Sequence, residues 1–271
     1  MSFIRFVSAA IIMFYASLIS CDMLESSPYD VRITGEKHLT GKNIALIEQR
    51  TSSKSRIRFA MISDTQRGYD ETLDAVDAIN HLDSIDFVLH GGDLTEYGAT
   101  KEFLWQRDIL NKLKVPYVCV IGNHDCVATG VESYQSLFGN LNFSFVAGNV
   151  KFLCLNTNAL EFDHSTAVPD MNFIKGELYS LYKNVEKTVV LMHAGPFSEQ
   201  FNNDIAAEFH YLLKQFPNLQ FCVYGHGHHT KVSEPFNDGV KYYECGNIKK
   251  RSMLLFTLNS DNTYEYEVVD F

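Results

Sequence analysis

The sequence predicts an α/β fold, a layered sandwich of two mixed β-sheets flanked by helices. Three observations predict it. From residue 56 onward, apolar runs of strand length alternate with segments of helical periodicity. The last thirty or so residues turn strand-rich, which a purely doubly wound sheet does not accommodate. Five of the apolar runs end in a polar motif, and ligand sites of α/β sheets lie at the C-terminal ends of strands.

The elements follow in order. Residues 21–54 read as a polar tether carrying a short strand over Asn43–Ile47, and residues 55–271 as the folded domain. Arg56–Ser63 is the first strand of that domain. Tyr69–Leu82 places Leu73, Val76, Ile79 and Leu82 at helical spacing. The strand Asp86–Gly92 is followed by a helix over Lys101–Leu113, with Phe103, Leu104, Leu110 and Leu113 on one face. Val115–Ile121 is a third strand. Phe143–Leu155 reads as two strands about the turn Gly148-Asn149. Phe173–Tyr182 is helical, with Asp170 as its N-cap behind Pro169. Thr188–Met192 and Leu219–Tyr224 are strands with the helix Ile205–Phe216 between them. Strands over Val240–Cys245, Met253–Leu258 and Thr263–Phe271 complete the chain, the last two joined through Ser260-Asp261-Asn262.

Residues 1–20 read as a processing segment. Arg5 is followed by the uncharged, mostly apolar run Phe6–Ser20, which has the length of a signal-peptide core and is short for a membrane span. The run ends in Leu18-Ile19-Ser20-Cys21, which resembles a bacterial lipobox, and Cys21 would then be lipidated and become the mature N-terminus. An ordinary secretory signal is the alternative. The lipobox reading places the protein in the bacterial cell envelope, lipid-anchored and extracytoplasmic.

At 271 residues, 46% apolar and with 14 Tyr and 20 Phe, the chain has core enough for one domain. Its net charge of −10 disfavours a nucleic-acid surface, which rewards positive patches. Small phosphate substrates stay open, because bound cations reverse the sign locally. Besides Cys21 there are Cys119, Cys126, Cys154, Cys222 and Cys245, with no CxxC spacing. Those inside strands read as small apolar residues, and an exported compartment permits one bridge without indicating a pairing.

The chemistry lies in five blocks: Asp64-Thr65-Gln66, Gly92-Asp93, Gly122-Asn123-His124-Asp125, His193, and Gly225-His226-Gly227-His228. Asn and Asp after a strand are ordinary turn residues. Paired His in a Gly-His-Gly-His run are not, and together the blocks supply carboxylates, amides and imidazoles to one end of the strands. Such a mixed set suits an open hydrolytic metal centre better than a closed structural one, which favours Cys and His tetrahedra. Beside these blocks His90 reads as a hydrogen-bonded core residue, and His229 as a residue that stands behind the ligands or lies at the surface. Tyr69, Tyr97 and Phe197 stand near motif ends, where packing is the default role and lining a substrate mouth the alternative.

These blocks, in this order over residues 56–250, resemble the calcineurin-like metallophosphoesterases. The resemblance implies a metallophosphoesterase-type sandwich and a phosphate mono- or diester as substrate. It also implies two divalent metal ions (Mn, Fe, Zn or Mg). Asp93 would bridge them; Asp64 and His228 would hold the first, and Asn123, His193 and His226 the second. A hydroxide between the metals would attack the phosphorus in line. His124 would stabilise the phosphoryl charge or protonate the leaving oxygen, and Asp125 would orient its imidazole. The chain departs from the family pattern at position 66, where Gln replaces the usual His. Its amide oxygen would ligate a hard cation directly or stand behind the ligands. The rival reading is a non-catalytic lipoprotein that keeps the scaffold to bind phosphate or a partner, and Gln66 is its one support.

Overall fold

Burial with a period of two builds the middle of the molecule. In strand β1 (Ile57–Ile62), Ile57, Phe59 and Met61 face one way and Ala60 and Ile62 the other, all of them buried. The computed structural model describes residues 30–162, 166–181 and 184–271; the processing segment expected over 1–20 and Cys21 lie outside them. β1 runs parallel to β2 (Phe87–His90), and β2 to β3 (Tyr117–Cys119). On the other side of β1 lies antiparallel β10 (Ser252–Leu258), then antiparallel β11 (Tyr264–Asp270), giving the order β11-β10-β1-β2-β3. A second sheet holds β4 (Phe143–Ala147), β5 (Val150–Leu155), β6 (Lys187–Met192), β7 (Leu219–Tyr224), β8 (Lys231–Ser233) and β9 (Lys241–Glu244) in the order β4-β5-β6-β7-β9-β8. β5, β6, β7 and β9 are parallel, and the edge strands β4 and β8 antiparallel. Both sheets are therefore mixed, and the tail supplies the antiparallel half of the first.

The sheets meet through aromatic rings. Phe59 stacks on Phe87 at 5.3 Å, and Phe152 of the opposite sheet meets both edge-on at 5.4 and 5.2 Å. Offset and edge-to-face pairs of this kind add about 0.5–1.5 kcal/mol each beyond the area they bury. The outer face of the first sheet is covered by α2 (Tyr69–His81), α3 (Thr100–Leu110) and α4 (Gly130–Leu137), through Ala75, Val76, Ile79, Phe103, Leu110, Tyr134 and Leu137. The outer face of the second is covered by α6 (Met171–Tyr179) and α7 (Ala206–Leu213), through Ile174, Phe209 and Leu213. A short helix α5 (Ala159–Phe162) follows β5. Asp170 caps α6 as expected, accepting from the amides of Asn172 and Phe173 at 3.0 and 2.9 Å. The turn at Gly148-Asn149 likewise joins β4 to β5.

One expectation is corrected. The short strand expected over Asn43–Ile47 is instead part of helix α1 (Leu39–Thr51), so residues 30–54 are not a free tether. Thr40, Ile47 and Thr51 are buried and Ile44 partly so, a helical spacing that the five-residue apolar run concealed. Ile47 packs into the core between the sheets and Leu39 into the layer outside the first, while Arg107 Nη1 bonds to the Thr34 carbonyl. The cysteines read as expected: Cys119, Cys126, Cys154, Cys222 and Cys245 are all free, and all but Cys126 are buried. They act as small apolar residues, and no bridge forms among the described residues.

Candidate metal centre

Five parallel strands of the two sheets, β1, β2, β3, β6 and β7, deliver their C-terminal loops to one place. After β1 the chain turns sharply at Asp64, whose amide donates to the Gly92 carbonyl at 3.0 Å. After β2 it turns at Asp93, whose carbonyl accepts from the amides of Thr65 and Gln66 at 2.9 and 3.1 Å. His90 fastens the same two loops. Its Nδ1 accepts from the Gly92 amide at 3.2 Å, so its Nε2–H donates to Thr65 Oγ1 at 3.0 Å. Burial, with His193 nearby, pushes its pKa down to about 3 and keeps it neutral. His90 is thus the hydrogen-bonded core residue its strand position indicated.

The side chains of these blocks converge. Single ligand atoms of Asp64, Asp93 and His228 all lie within 4.8 Å of one another. His228 Nε2 stands 3.2 Å from Asp64 Oδ1, and that contact raises the His228 pKa. On the other side of Asp93, His193 Nε2 is 3.5 Å from its Oδ1 and 3.0 Å from Asn123 Oδ1. His226 Nδ1 reaches the same Asn123 oxygen at 3.0 Å. Asp93 therefore belongs to two groups of donors at once.

The hydrogen bonds behind these atoms decide what the groups can hold. His193 Nδ1–H donates to the Gly91 carbonyl at 2.7 Å, so in the neutral ring Nε2 carries the lone pair. His226 Nε2–H donates to Glu199 Oε1 at 3.1 Å, so its lone pair is on Nδ1. Two imidazole lone pairs thus face one amide oxygen and a carboxylate, an arrangement that only a cation or a proton reconciles. Burial opposes charge on His193, but Asp93 outweighs it and raises the pKa to about 9. Burial and the neighbouring His193 lower that of His226. Asp93, buried but flanked by His193 and His124, stays below its ordinary value.

Gln66 fits the same logic. It is 6% exposed, its Nε2 lies 3.4 Å from Asp93 Oδ2, and its Oε1 is buried with no hydrogen-bond partner. A buried amide oxygen left unpaired costs about 1–3 kcal/mol, which a hard cation beside Asp93 would offset. The position that departs from the family pattern therefore still places a buried amide beside Asp93, with an oxygen free to accept.

The backbone is bent to serve this cluster. Asp64, Asp93, His226 and His228 all lie in the left-handed region, with φ of 53°, 56°, 69° and 59°. Such residues cost on the order of 1–3 kcal/mol each and collect at functional sites. The motif glycines answer to close approach. A Cβ on Gly122 would stand 2.1 Å from Asp93 Oδ1, and one on Gly225 would stand 2.0 Å from Ser63 Oγ and 2.6 Å from Asp64 Oδ2.

One expected role is corrected. The Asp125 carboxylate is spent on the amides of Leu94, Thr95 and Gly122 at 3.2, 2.8 and 3.0 Å and on the Thr95 hydroxyl at 2.9 Å. The His124 ring is instead oriented by the Glu96 carbonyl, 3.0 Å from its Nδ1. Asp125 fixes the loops that carry Asp93 and His124 and reaches the imidazole only through them. Burial and the Asp93 charge push its pKa up to about 7, against three backbone donors. Two supporting carboxylates escaped sequence reasoning. Glu199 backs His226, as carboxylates commonly back a ligating imidazole. Glu244 is buried beneath the loop at Gly227 and accepts from the His229 amide at 3.1 Å and the Tyr224 hydroxyl at 3.1 Å. Neither belongs to a motif, and no signal in the sequence marks them.

Comparison with known proteins agrees with this geometry. A model of the calcineurin-like phosphoesterases matches residues 57–230, more than half of the chain. The chain belongs to the calcineurin-like phosphoesterase family. Members are metal-dependent hydrolases of phosphate esters. Among curated proteins it is similar to a 3′,5′-cyclic-nucleotide phosphodiesterase of Nostoc sp., 22% identical over 151 residues, which are 53% of this chain and 56% of that one. The chain thus matches little more than half the length of that relative. Among solved structures it resembles a dimetal phosphatase from Danio rerio, with a TM-score of 0.61 and 13% identity over 79% of this chain and 99% of the other. It also resembles GAP50 of Plasmodium, described as the anchor in the inner membrane complex, with a TM-score of 0.60 and 14% identity over 80% and 85% of the two chains. At these identities the solved structures speak for the fold alone.

Proposed function

We propose that this phosphoesterase works as a dinuclear enzyme on a small phosphate mono- or diester. The observation that carries the reading is the double engagement of Asp93, which stands with Asp64 and His228 on one side and with His193 and Asn123 on the other. Asp64, Gln66, Asp93 and His228 would hold one divalent cation, and Asp93, Asn123, His193 and His226 the second. Two cations held there would supply positive charge for the phosphoryl oxygens and would acidify water.

The chain's own residues supply the rest. With Nδ1 committed to the Glu96 carbonyl, His124 turns Nε2 toward the substrate, where it holds a phosphoryl oxygen or carries a proton to the leaving one. Asp125 keeps the His124 loop and the Asp93 loop in register. The cyclic-nucleotide phosphodiesterase relative favours a nucleotide-sized ester, and the net charge of −10 disfavours long polyanions. The test is hydrolysis of p-nitrophenyl phosphate and its bis ester with Mn²⁺, Mg²⁺, Zn²⁺ or Fe²⁺ supplied singly. Metal-dependent turnover that His124→Ala reduces about 100-fold or more supports the reading; a folded protein inert with every metal overturns it.

We also propose that Cys21 carries a lipid that anchors the protein outside the bacterial cytoplasmic membrane. The support is the run Leu18-Ile19-Ser20-Cys21 after an uncharged apolar segment. Among the described residues no helix is long and apolar enough to cross a membrane. Incorporation of labelled fatty acid that Cys21→Ser abolishes is the expected result, and equal labelling of both proteins refutes the anchor.

A further inference from the structure

Two large aromatic residues on the loops of the metal centre are exposed to water, and each is held by contacts of its backbone and ring. Phe197 is 59% exposed and lies four residues beyond His193, at φ 72°. A bulky aromatic in the left-handed region is an outlier that the surroundings must enforce. Here they do. Its amide donates to Asn203 Oδ1 at 2.7 Å, and the Asn203 amide group in turn donates to the Ser198 carbonyl at 2.8 Å. Its ring leans on Phe236 at 5.4 Å, and Phe236 stacks flat on His210 at 3.9 Å. His210 is itself fixed between the Tyr242 hydroxyl and Asp238, both at 2.9 Å. Two residues past Phe197, Glu199 bonds to His226.

Tyr97, 57% exposed, occupies the corresponding position on the first sheet, in the loop after Asp93. Its amide is held by Glu102 Oε2 at 3.0 Å. Its hydroxyl accepts from Arg67, whose guanidinium lies 5.2 Å from the centre of its ring. Arg67 directly follows Gln66, is itself at φ 55°, and pairs with Glu96 Oε1 at 3.2 Å. The Glu96 carbonyl is the group that orients His124. Tyr69, the third aromatic near a motif end, is different: it is partly buried and packs edge-on against Trp105.

We propose that Phe197 and Tyr97 are specificity-determining residues, one on the lip of each sheet. The substrate they select carries a planar aromatic group, such as a nucleobase, on its phosphate ester. The inference deepens the phosphoesterase reading and rests on it. An exposed ring fixed in one orientation loses little entropy on stacking, and rings recognise planar groups with little regard to their hydrogen-bonding edges. Arg67 is already balanced by Glu96, so it serves to hold the Tyr97 ring and not as a second anion clamp.

The test uses the full chain loaded with the most activating metal and substrates that differ only in the base. Adenosine 5′-phosphate is compared with ribose 5-phosphate, and the methyl ester of each with the other, so that the leaving alcohol is matched within each pair. The expected kcat/KM ratio is about tenfold or more in favour of the base-bearing member of the hydrolysed pair. Phe197→Ala and Tyr97→Ala bring that ratio toward one, whereas Tyr97→Phe and Phe197→Trp, which keep a ring, preserve it. Phe197→Gly, which removes the ring and also relieves the backbone, behaves as Phe197→Ala does and guards against a folding artefact. A wild-type ratio near one, or a ratio that survives both alanine substitutions, overturns the inference while leaving the phosphoesterase intact. No turnover of any of the four compounds, with p-nitrophenyl phosphate also untouched, overturns the phosphoesterase reading and this inference with it.

Discussion

Gln66 Nε2 stands 3.4 Å from Asp93 Oδ2 while the other end of the same buried amide, Oε1, has no partner. In the proposed centre the residue would give a cation an oxygen where a histidine would give nitrogen. Gln66→Ala is therefore expected to weaken metal binding about 10–100-fold, and Gln66→His to shift preference from Mn²⁺ or Mg²⁺ toward Zn²⁺ or Fe²⁺. Competition titrations with each metal, read by calorimetry, check both. Unchanged affinities in both variants would place Gln66 outside the site.

Gly122 tests how tightly the loops are packed around Asp93. An added Cβ would stand 2.1 Å from Asp93 Oδ1 and 2.2 Å from the Asp93 backbone nitrogen, which cannot swing aside. Gly122→Ala is expected to lower stability by about 2 kcal/mol or more and to abolish tight metal binding. Gly176, inside α6 with nothing within 4 Å of its added Cβ, is the control, and Gly176→Ala should stabilise by about 0.5–1 kcal/mol. Thermal melts and metal titration of both variants give the comparison.

The reassigned Asp125 makes a prediction of its own. Both its oxygens accept from backbone amides, so the NH₂ of an asparagine would face a donor wherever it pointed. Asp125→Asn should cost about 2–4 kcal/mol in denaturant unfolding and lower turnover through the displaced loop. An Asp125 whose task was to orient the imidazole would instead leave stability nearly intact and alter only turnover.

Much of this was legible in the sequence because it depends on local pattern. Apolar runs ending in Asp64, Asp93, Asn123, His193 and His226 mark parallel strands and place their side chains at one end of the sheets. Helix α1 escapes the sequence pattern because Asn43–Ile47 looks like a short strand until Thr40 and Thr51 are seen to be buried on the same face. The partners of Asp125, His124 and His226 were illegible for another reason. Leu94, Glu96 and Glu199 meet them across 27 to 31 residues, and only tertiary packing selects which carboxylate or carbonyl faces which ring.

Stability toward acid should report the clasp at Asp238. The Lys214 ammonium at 2.6 Å, then His210 at 2.9 Å, hold its carboxyl well below the ordinary carboxylate range. A folded-state pKa depressed below the unfolded value near 3.8 contributes stability above that value, and the contribution is lost as pH falls through the folded pKa. Asp238→Asn should thus be less stable than wild type at pH 7, by less than about 1 kcal/mol because the clasp is partly open to water, with the gap closing below about pH 4. Urea unfolding at both pH values and constant ionic strength measures it.

The most direct test of the account is the metal stoichiometry of the purified chain after equilibrium dialysis against Mn²⁺, measured by elemental analysis beside Asp93→Asn. The shared position of Asp93 predicts two ions per wild-type chain and fewer than two in the variant. One ion or none in the wild type, or two in both, would contradict a dinuclear centre built on Asp93.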